Sequence, residues 1–259
     1  TVGTDEVTNK DEDKYVGWCW DAGTSAATPS DAGDITPTAQ WVNTTAGFGM
    51  CKYTGTFSGS GVATIGHQLG AAPQLIISKE LGNTSRWAVK HVGLSSWDHI
   101  LELQDNVAEV DKSGGGNTDD PTSTLFGTNH NGGINVSGYT YVAYYWTPIE
   151  GYSSFGSYTG NGSADGPFVY CGFEPAWLLY KRTTDGTEAW QYYDVDRTTY
   201  NMRSSRFNHT SAAEHGGNGV DIYSNGFKLK SADSADNASG KNFIYIAFAE
   251  RPFKTARGQ

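Results

Sequence analysis

The chain contains the same pattern of residues twice, and this internal repeat limits the folds that it can adopt. The triplet Tyr53-Thr54-Gly55 returns as Tyr158-Thr159-Gly160. A Gly-rich stretch leads from each triplet to a similar segment that contains a proline, residues 70–79 in the first copy and 172–181 in the second. A chain of 259 residues that repeats in this way predicts two domains of about a hundred residues each.

An aromatic segment closes each copy and occurs a third time near the start of the chain. The sequence comparison aligns residues 141–146 with 245–250, and Trp87 with Trp190. The related segment at residues 15–20 has no repeat body in front of it, which is typical of the end of a longer tandem array. An isolated strand would expose unpaired backbone groups. We therefore expect this segment either to complete an upstream repeat, which we favour, or to pair with a neighbouring subunit.

The strongest segments are short, aromatic or β-branched, and bounded by Gly, Pro and Asn, which predicts strands rather than helices. We predict an all-β fold of two tandem antiparallel β-sandwich domains of the jelly-roll or lectin-like type, residues 48–150 and 151–259. Residues 1–20 are predicted to end an upstream repeat. Residues 21–47 are rich in Thr, Ala, Ser, Asp and Pro, which predicts a linker or an extended arm lying on a neighbour.

Charge and composition exclude several classes of protein. The formal net charge of −10 repels a phosphate backbone, so we expect no nucleic-acid partner. No apolar run approaches the length that crosses a bilayer, so we expect no membrane insertion. Three cysteines, Cys19, Cys51 and Cys171, fall at unrelated places in the repeats. We expect them to be free and packed, which fits folding in a reducing cytoplasm.

The sequence lacks the common catalytic and metal-binding motifs. It contains no His-Glu-x-x-His pair, no Cys-x-x-Cys, no Gly-Lys-Ser/Thr loop and no Gly-x-Ser-x-Gly. The six histidines are scattered, so we predict no metal site and no cofactor. The acidic loops Asp119-Asp120 and Asp194-Val195-Asp196 supply fewer than the six to eight oxygens that calcium takes, and solvated turns are the favoured interpretation. No carboxylate pair recurs in both copies. We therefore predict a protein that is not an enzyme.

Aromatic residues are the best candidates for a binding surface, because flat rings with polar tips stack on sugar faces as well as filling cores. Trp87 and Trp190 recur at one repeat position, which favours a packing role for both. Four other aromatic residues lie near loops in polar company and are our candidate ligand-binding residues: Trp97, Tyr192, Tyr193 and Tyr200. A structural role is an equal alternative for each of these four.

Several stretches resemble a tandem β-repeat found in tailed-bacteriophage virion proteins, many of them from marine phages. In the first copy the similar residues are 43–50, 53–55 and 64–73, and in the second they are 150–170, 224–229 and 247–253. Members of this group are described as tail-fibre-like structural proteins. The resemblance covers most of the chain and carries no catalytic residues with it.

The resemblance implies a non-enzymatic virion structural protein, of the tail-fibre or surface-appendage type, that contributes to recognition of a host-surface glycan or receptor. It implies a homo-oligomer, with a trimer among the options, other virion proteins as partners, and a place on the virion surface after folding in the host cytoplasm. Two alternatives stay open. One is a purely structural capsid or tail decoration or assembly module, and the other is a polysaccharide depolymerase, which needs two carboxylates lining one groove.

Overall fold

Strands form almost all of the regular structure. A computed structural model describes residues 11–12, 17–57, 62–113, 120–129, 133–186, 188–197, 200–208 and 215–250, without the side chains of 129, 203–208 and 215–218. These residues contain seventeen β-strands and one four-residue helix. The prediction of an all-β fold is confirmed. No helix in these ranges is long and apolar enough to cross a membrane.

Nine strands belong to the first repeat: β1 (Ala39–Asn43), β2 (Phe48–Thr54), β3 (Val62–Gly66), β4 (Leu75–Glu80), β5 (Trp87–His91), β6 (His99–Glu102), β7 (Val110–Asp111), β8 (Leu125–Asn129) and β9 (Thr140–Trp146). Seven of them form an antiparallel sheet in the order β1-β2-β9-β4-β5-β6-β7. The other two, β3 and β8, form a small separate sheet. Apolar residues from both sheets share one buried core, which contains Tyr53, Ile65, Phe126 and Tyr141.

The second repeat contains β10 (Ser153–Thr159), β11 (Phe168–Tyr170), β12 (Trp177–Arg182), β13 (Gln191–Asp194), β14 (Arg203–Asn208), β15 (His215–Tyr223), β16 (Gly226–Leu229), α1 (Ser234–Asn237) and β17 (Asn242–Phe248). Its strands form one sheet in the order β10-β17-β12-β13-β14-β15-β16-β11. This sheet folds over itself, because residues from both of its ends, such as Phe227 and Phe243, lie in the same core.

The strand pairing identifies which residues of the two repeats are equivalent. Tyr53 pairs with Tyr141, and Tyr158 pairs with Phe243. The alignment of Tyr141 with Tyr245 is therefore wrong by two positions. A shift of two keeps every side chain on the same face of a strand, so aromatic residues at alternate positions match almost as well in the wrong register as in the right one.

The tyrosine of each repeated triplet makes the same interactions. Tyr53 donates a hydrogen bond from its hydroxyl to the carbonyl oxygen of Ile134, at 2.6 Å, and Tyr158 does so to the carbonyl of Asp236, at 2.8 Å. Each ring also stacks on its partner in the closing strand, with centroids 5.2 Å apart in the first repeat and 4.8 Å in the second. The tyrosine thus fastens the segment before the closing strand to the sheet.

The glycine of each triplet allows the backbone to approach that same segment. A Cβ added at Gly55 would lie 2.2 Å from the carbonyl oxygen of Val136, and one added at Gly160 would lie 2.2 Å from that of Ala238. Both contacts are far shorter than real Cβ atoms allow. The repeat of Tyr-Thr-Gly is therefore explained by backbone packing.

The two repeats pack face to face through their large sheets. Apolar side chains from both contribute to one buried cluster: Phe48, Leu75, Val89, Leu94, Leu101 and Trp146 from the first, and Phe155, Trp190, Ile244, Ile246 and Phe248 from the second. Hydrogen bonds also join them. The indole of Trp190 donates to the carbonyl of Glu102 at 3.0 Å, and the Lys181 ammonium donates to that of Asn106 at 3.0 Å.

The N-terminal part of the chain differs from its prediction. Residues 17–20 form no strand. Trp20 instead packs edge-on against Trp146 of the first repeat and Trp177 of the second, with ring centroids 5.9 Å away in each case. Residues 15 and 16, the start of the predicted strand, lie outside the described ranges. An apolar surface shared by the two repeats therefore takes up the tryptophans that were expected in a strand.

The stretch predicted as a linker or arm, residues 21–47, lies on the first repeat. It contributes β1 to the large sheet, and Ile35 is buried beside β3, where it bridges to Ile65. Gln40 of β1 is buried and donates hydrogen bonds from its side chain to the carbonyl of Gly66 and the hydroxyl of Tyr145. Because the side chain of Gln40 is hydrogen-bonded, this residue is buried although residues 21–47 are rich in polar residues.

Candidate functional site

The four candidate residues from the sequence do not form one site. Trp97 is half-buried against the core of the first repeat. Tyr192 and Tyr193 are both buried, but neighbouring residues of a strand point to opposite faces. Tyr192 therefore packs beside Trp177 between the repeats, whereas Tyr193 lies in the core of the second repeat. Tyr200 stands apart, with 82% of its surface exposed.

A different group of aromatic residues lies together in solvent, on the outer side of β11, β15 and β16. Phe168, Tyr170 and Tyr223 are 45%, 67% and 42% exposed, and we call them the outer aromatic face. The strand register places Tyr170 and Tyr223 on either side of Gly226, and Phe168 beside Lys228. The rings of Phe168 and Tyr223 meet edge to face at 5.8 Å. Phe168 and Tyr223 are thus in contact, and Tyr170 extends from the same side of the sheet.

Alternation along the strands explains why these rings face outward. Their sequence neighbours Val169 and Ile222 fill the core of the second repeat, as does Phe227 next to Gly226. Gly226 leaves room in the middle of the face, because a Cβ there would lie 2.1 Å from the carbonyl oxygen of Val169 and 3.0 Å from the ring of Phe168. The ring of Phe168 can lie at this point only over a residue without a side chain.

Charged groups border the rings. The ammonium of Lys228 lies 2.5 Å from a carboxylate oxygen of Asp165, and Asp221 pairs with Lys228 across the strands. The hydrogen bond between Asp165 and Lys228 lowers the pKa of the carboxyl and raises the pKa of the ammonium. Both groups are therefore ionised around neutral pH. The face thus combines stacking surfaces with hydrogen-bond donors and acceptors.

One sequence-predicted residue, Tyr200, is followed by a residue that binds the backbone of β15. The side-chain amide of Asn201 donates to the carbonyl of Ile222 at 2.7 Å and accepts from its N–H at 3.0 Å. These two bonds fix the chain at Tyr200 beside the end of β15, where Tyr223 follows Ile222. Sequence reasoning missed the other three rings. Their available signal was the alternation Phe168-Val169-Tyr170 and the position of Tyr223 before a turn at Asn225-Gly226.

Metal-binding and nucleophilic groups are not gathered in the described ranges. No group of three or more His, Cys, Asp or Glu side chains there could hold a metal ion. All three cysteines are free, with Cys51 and Cys171 buried and Cys19 exposed. Burial raises the pKa of the Cys51 and Cys171 thiols to about 12. These two thiols are therefore inert packing groups, and Cys19, expected to be packed, is instead exposed.

The acidic pair near β13 has a structural role. One carboxylate oxygen of Asp194 accepts from the indole N–H of Trp18 at 3.0 Å, and the other accepts from the backbone N–H of Asp196 at 3.0 Å. Of the other acidic pair, Asp119 lies outside the described ranges. Asp194 thus holds the N-terminal segment in place.

Comparison with known proteins gives one match. The family model of a domain of unknown function, DUF7483, matches residues 1–252. No curated protein and no solved structure matches the chain.

Proposed function

This chain belongs to the DUF7483 family, a domain of unknown function, and we propose that it is a non-enzymatic module of a virion surface protein that binds host glycan through its outer aromatic face. The virion assignment, of tail-fibre or appendage type, comes from the sequence resemblance. The glycan assignment is carried by one observation, the exposure of Phe168, Tyr170 and Tyr223 on a single sheet face.

The chemistry of the face suits a sugar. Aromatic rings stack on the C–H surface of a pyranose, and polar groups beside them bind its hydroxyls. Lys228 offers a cation and Asp165 a carboxylate within reach of Phe168. The rings stand on paired strands whose other face is buried, so they are held rigidly and little conformational entropy is lost on binding.

A structural module is the second candidate, and the packing of the two repeats favours it. Their large sheets share a buried core, so the pair forms one rigid unit, as a building block of an appendage requires. In that function the outer aromatic face would be covered by another subunit, because exposed apolar patches rimmed by polar residues are typical of protein interfaces.

The test is binding of the full chain to a glycan array and to host cells, with Phe168→Ala and Tyr170→Ala as the variants. We expect each to weaken binding about fivefold, since removing one stacked ring costs roughly 1 kcal/mol. Tyr139→Ala is the matched control, because Tyr139 is 48% exposed in the first repeat. Equal binding by all four proteins would remove the glycan proposal.

Two further measurements separate the alternatives. Sedimentation velocity gives the number of subunits in the assembly, and an assembly that dissociates in Tyr170→Ala would support the structural module. Release of reducing ends from host polysaccharide would support the depolymerase, and its absence with intact binding supports a binding module.

A further inference from the structure

A large cleft separates the two facing sheets beside the core that joins them. Its volume is about 640 Å³, which lies within the roughly 300–1,000 Å³ of small-molecule sites. Six of the chain's eight tryptophans line it: Trp18, Trp20, Trp87, Trp146, Trp177 and Trp190. Protein interiors seldom leave so much space unfilled. We call this space the inter-repeat cleft.

The walls of the inter-repeat cleft are apolar. The ten other lining residues are all Phe, Met, Leu, Ile or Tyr. The indole N–H groups of Trp146 and Trp177 are buried, so they do not face the open space. A sugar placed here would lose water from its hydroxyls and gain few hydrogen bonds in return, which is unfavourable. A hydrocarbon would gain from the same transfer.

One end of the cleft is closed by the N-terminal segment. Trp20 lies between Trp146 and Trp177, one from each repeat. Trp18 packs on Tyr192 with ring centroids 4.9 Å apart, and its indole N–H donates to Asp194. The occupant must therefore extend towards the other end.

That other end carries positive charge. Met50 on β2 and Ile77 on β4 line the cleft, and side chains two positions further along a strand point to the same face. Those positions are Lys52 and Lys79, which both pair with Val142 of β9. Lys52 is exposed. The apolar walls thus end in two lysines, on the two strands that flank β9. The ammonium of Lys79 already donates to the carbonyls of Glu80 and Asn83 at 2.6 and 2.8 Å, so the exposed Lys52 is the cation that a ligand can reach.

We propose that the inter-repeat cleft binds an anionic amphiphile of the fatty-acid class, with its hydrocarbon chain between the sheets and its carboxylate at Lys52. The volume, the apolar walls, the closed end and the charged end all fit this one ligand. The site is separate from the outer aromatic face, which lies on the far side of the second repeat's core. Either proposal can therefore fail without the other.

The experiment is quenching of tryptophan fluorescence in the full chain by a long-chain fatty acid brominated on its hydrocarbon part. We expect saturable quenching of most of the emission, because six tryptophans lie around the bound chain. A variant with Ile77→Phe and Leu179→Phe fills the cleft and should weaken binding at least tenfold. Val110→Phe is the control, since Val110 is exposed and outside the cleft.

The charge of the headgroup is tested with Lys52→Gln. We expect a two- to fivefold loss of affinity, roughly the range for an exposed ion pair, for the fatty acid and no change for the corresponding fatty alcohol. Absence of quenching below the critical micelle concentration, or equal affinity in the filled and control variants, would overturn the proposal. So would a concentration-dependent dimer that shields the same tryptophans, because the occupant would then be a second copy of the chain.

Discussion

The two repeats share one framework but present different outer surfaces. The register of the small outer pairs makes Thr64 of β3 equivalent to Phe168 of β11, and Gly127 of β8 equivalent to Lys228 of β16. Gly66 similarly stands where the second repeat has Tyr170. The first repeat therefore lacks the rings and the charges of the outer aromatic face, although its backbone pairs in the same way.

The chain itself covers the corresponding region of the first repeat. Ile35 donates its N–H to the carbonyl of Thr64 at 3.0 Å, and the Asp34 carboxylate accepts from the N–H and hydroxyl of Thr64 at 2.9 and 2.8 Å. These bonds satisfy an edge strand that would otherwise be open to pairing. The same framework is therefore covered by the chain itself in the first repeat and exposed to solvent in the second.

The largest effect on stability is expected from replacing one of the two equivalent tryptophans, Trp87 and Trp190. Trp190 is 3% exposed and donates to Glu102, whereas Trp87 is 36% exposed. We expect Trp190→Ala to lower the free energy of unfolding by about 3–5 kcal/mol, and Trp87→Ala by about 1 kcal/mol. Thermal unfolding followed by circular dichroism measures both. Equal losses would show that the two repeats use this position alike.

The second prediction concerns pH and the histidine between the repeats. His91 is buried, donates from Nε2 to the carbonyl of Tyr245 and accepts the N–H of Gly93, and burial lowers its pKa to about 3. The neutral ring is the folded form. The contribution of His91 to the free energy of unfolding is complete above the pKa of about 6.5 that the residue has in the unfolded chain. Below that pH it falls by roughly 1.4 kcal/mol for each pH unit, down to the pKa of the folded state.

The measurement is urea unfolding between pH 7 and pH 4.5 (about two units below the unfolded pKa). We expect the chain to lose roughly 3 kcal/mol through His91. His91→Gln keeps a hydrogen-bond donor and an acceptor but cannot titrate. Residue 91 should then add almost no pH dependence to the free energy of unfolding. His67→Gln is the counterpart inside the first repeat, where burial also lowers the pKa. If His91→Gln keeps the full pH dependence, His91 is not its source.

The third prediction tests where the repeats should behave alike. We expect Gly55→Ala and Gly160→Ala each to cost about 2 kcal/mol, because the added methyl group meets backbone atoms that cannot move aside freely. Gly17→Ala is the control, since no atom of the described residues beyond its chain neighbours lies within 4 Å of its added Cβ. A large loss in only one repeat would show that the equivalent contact is not equally rigid in both.

Much of the fold could be predicted from the sequence, because the sequence features that indicate it are local. Turn residues and short aromatic segments predicted strands, and the equivalence of Trp87 and Trp190 agrees with the register, in which Ser78 pairs with Ala88 and Tyr180 with Gln191. The closing strand was misaligned because a shift of two preserves its pattern. Local similarity fixes the presence of a strand but not its register.

The binding surface was less accessible, because exposure depends on which layer covers a face. Tyr192 and Tyr193 have the same polar neighbours in sequence, yet one faces the other repeat and one faces its own core. Phe168 and Tyr170 look like any strand residues until the fold leaves their side uncovered. Only the three-dimensional packing distinguishes a ring that fills a core from a ring that meets solvent.

The last prediction, which has the smallest expected effect on stability, concerns a variant that gives the outer aromatic face a residue of the first repeat. Phe168→Thr places at β11 the residue that β3 carries at the equivalent position, Thr64. Because Phe168 is 45% exposed and threonine suits a strand, we expect the free energy of unfolding to fall by less than about 1 kcal/mol. Glycan binding should weaken about fivefold in the same protein. A variant that binds normally but unfolds easily would show that this ring serves stability, and the contrast between an open and a sealed repeat would then lose its functional meaning.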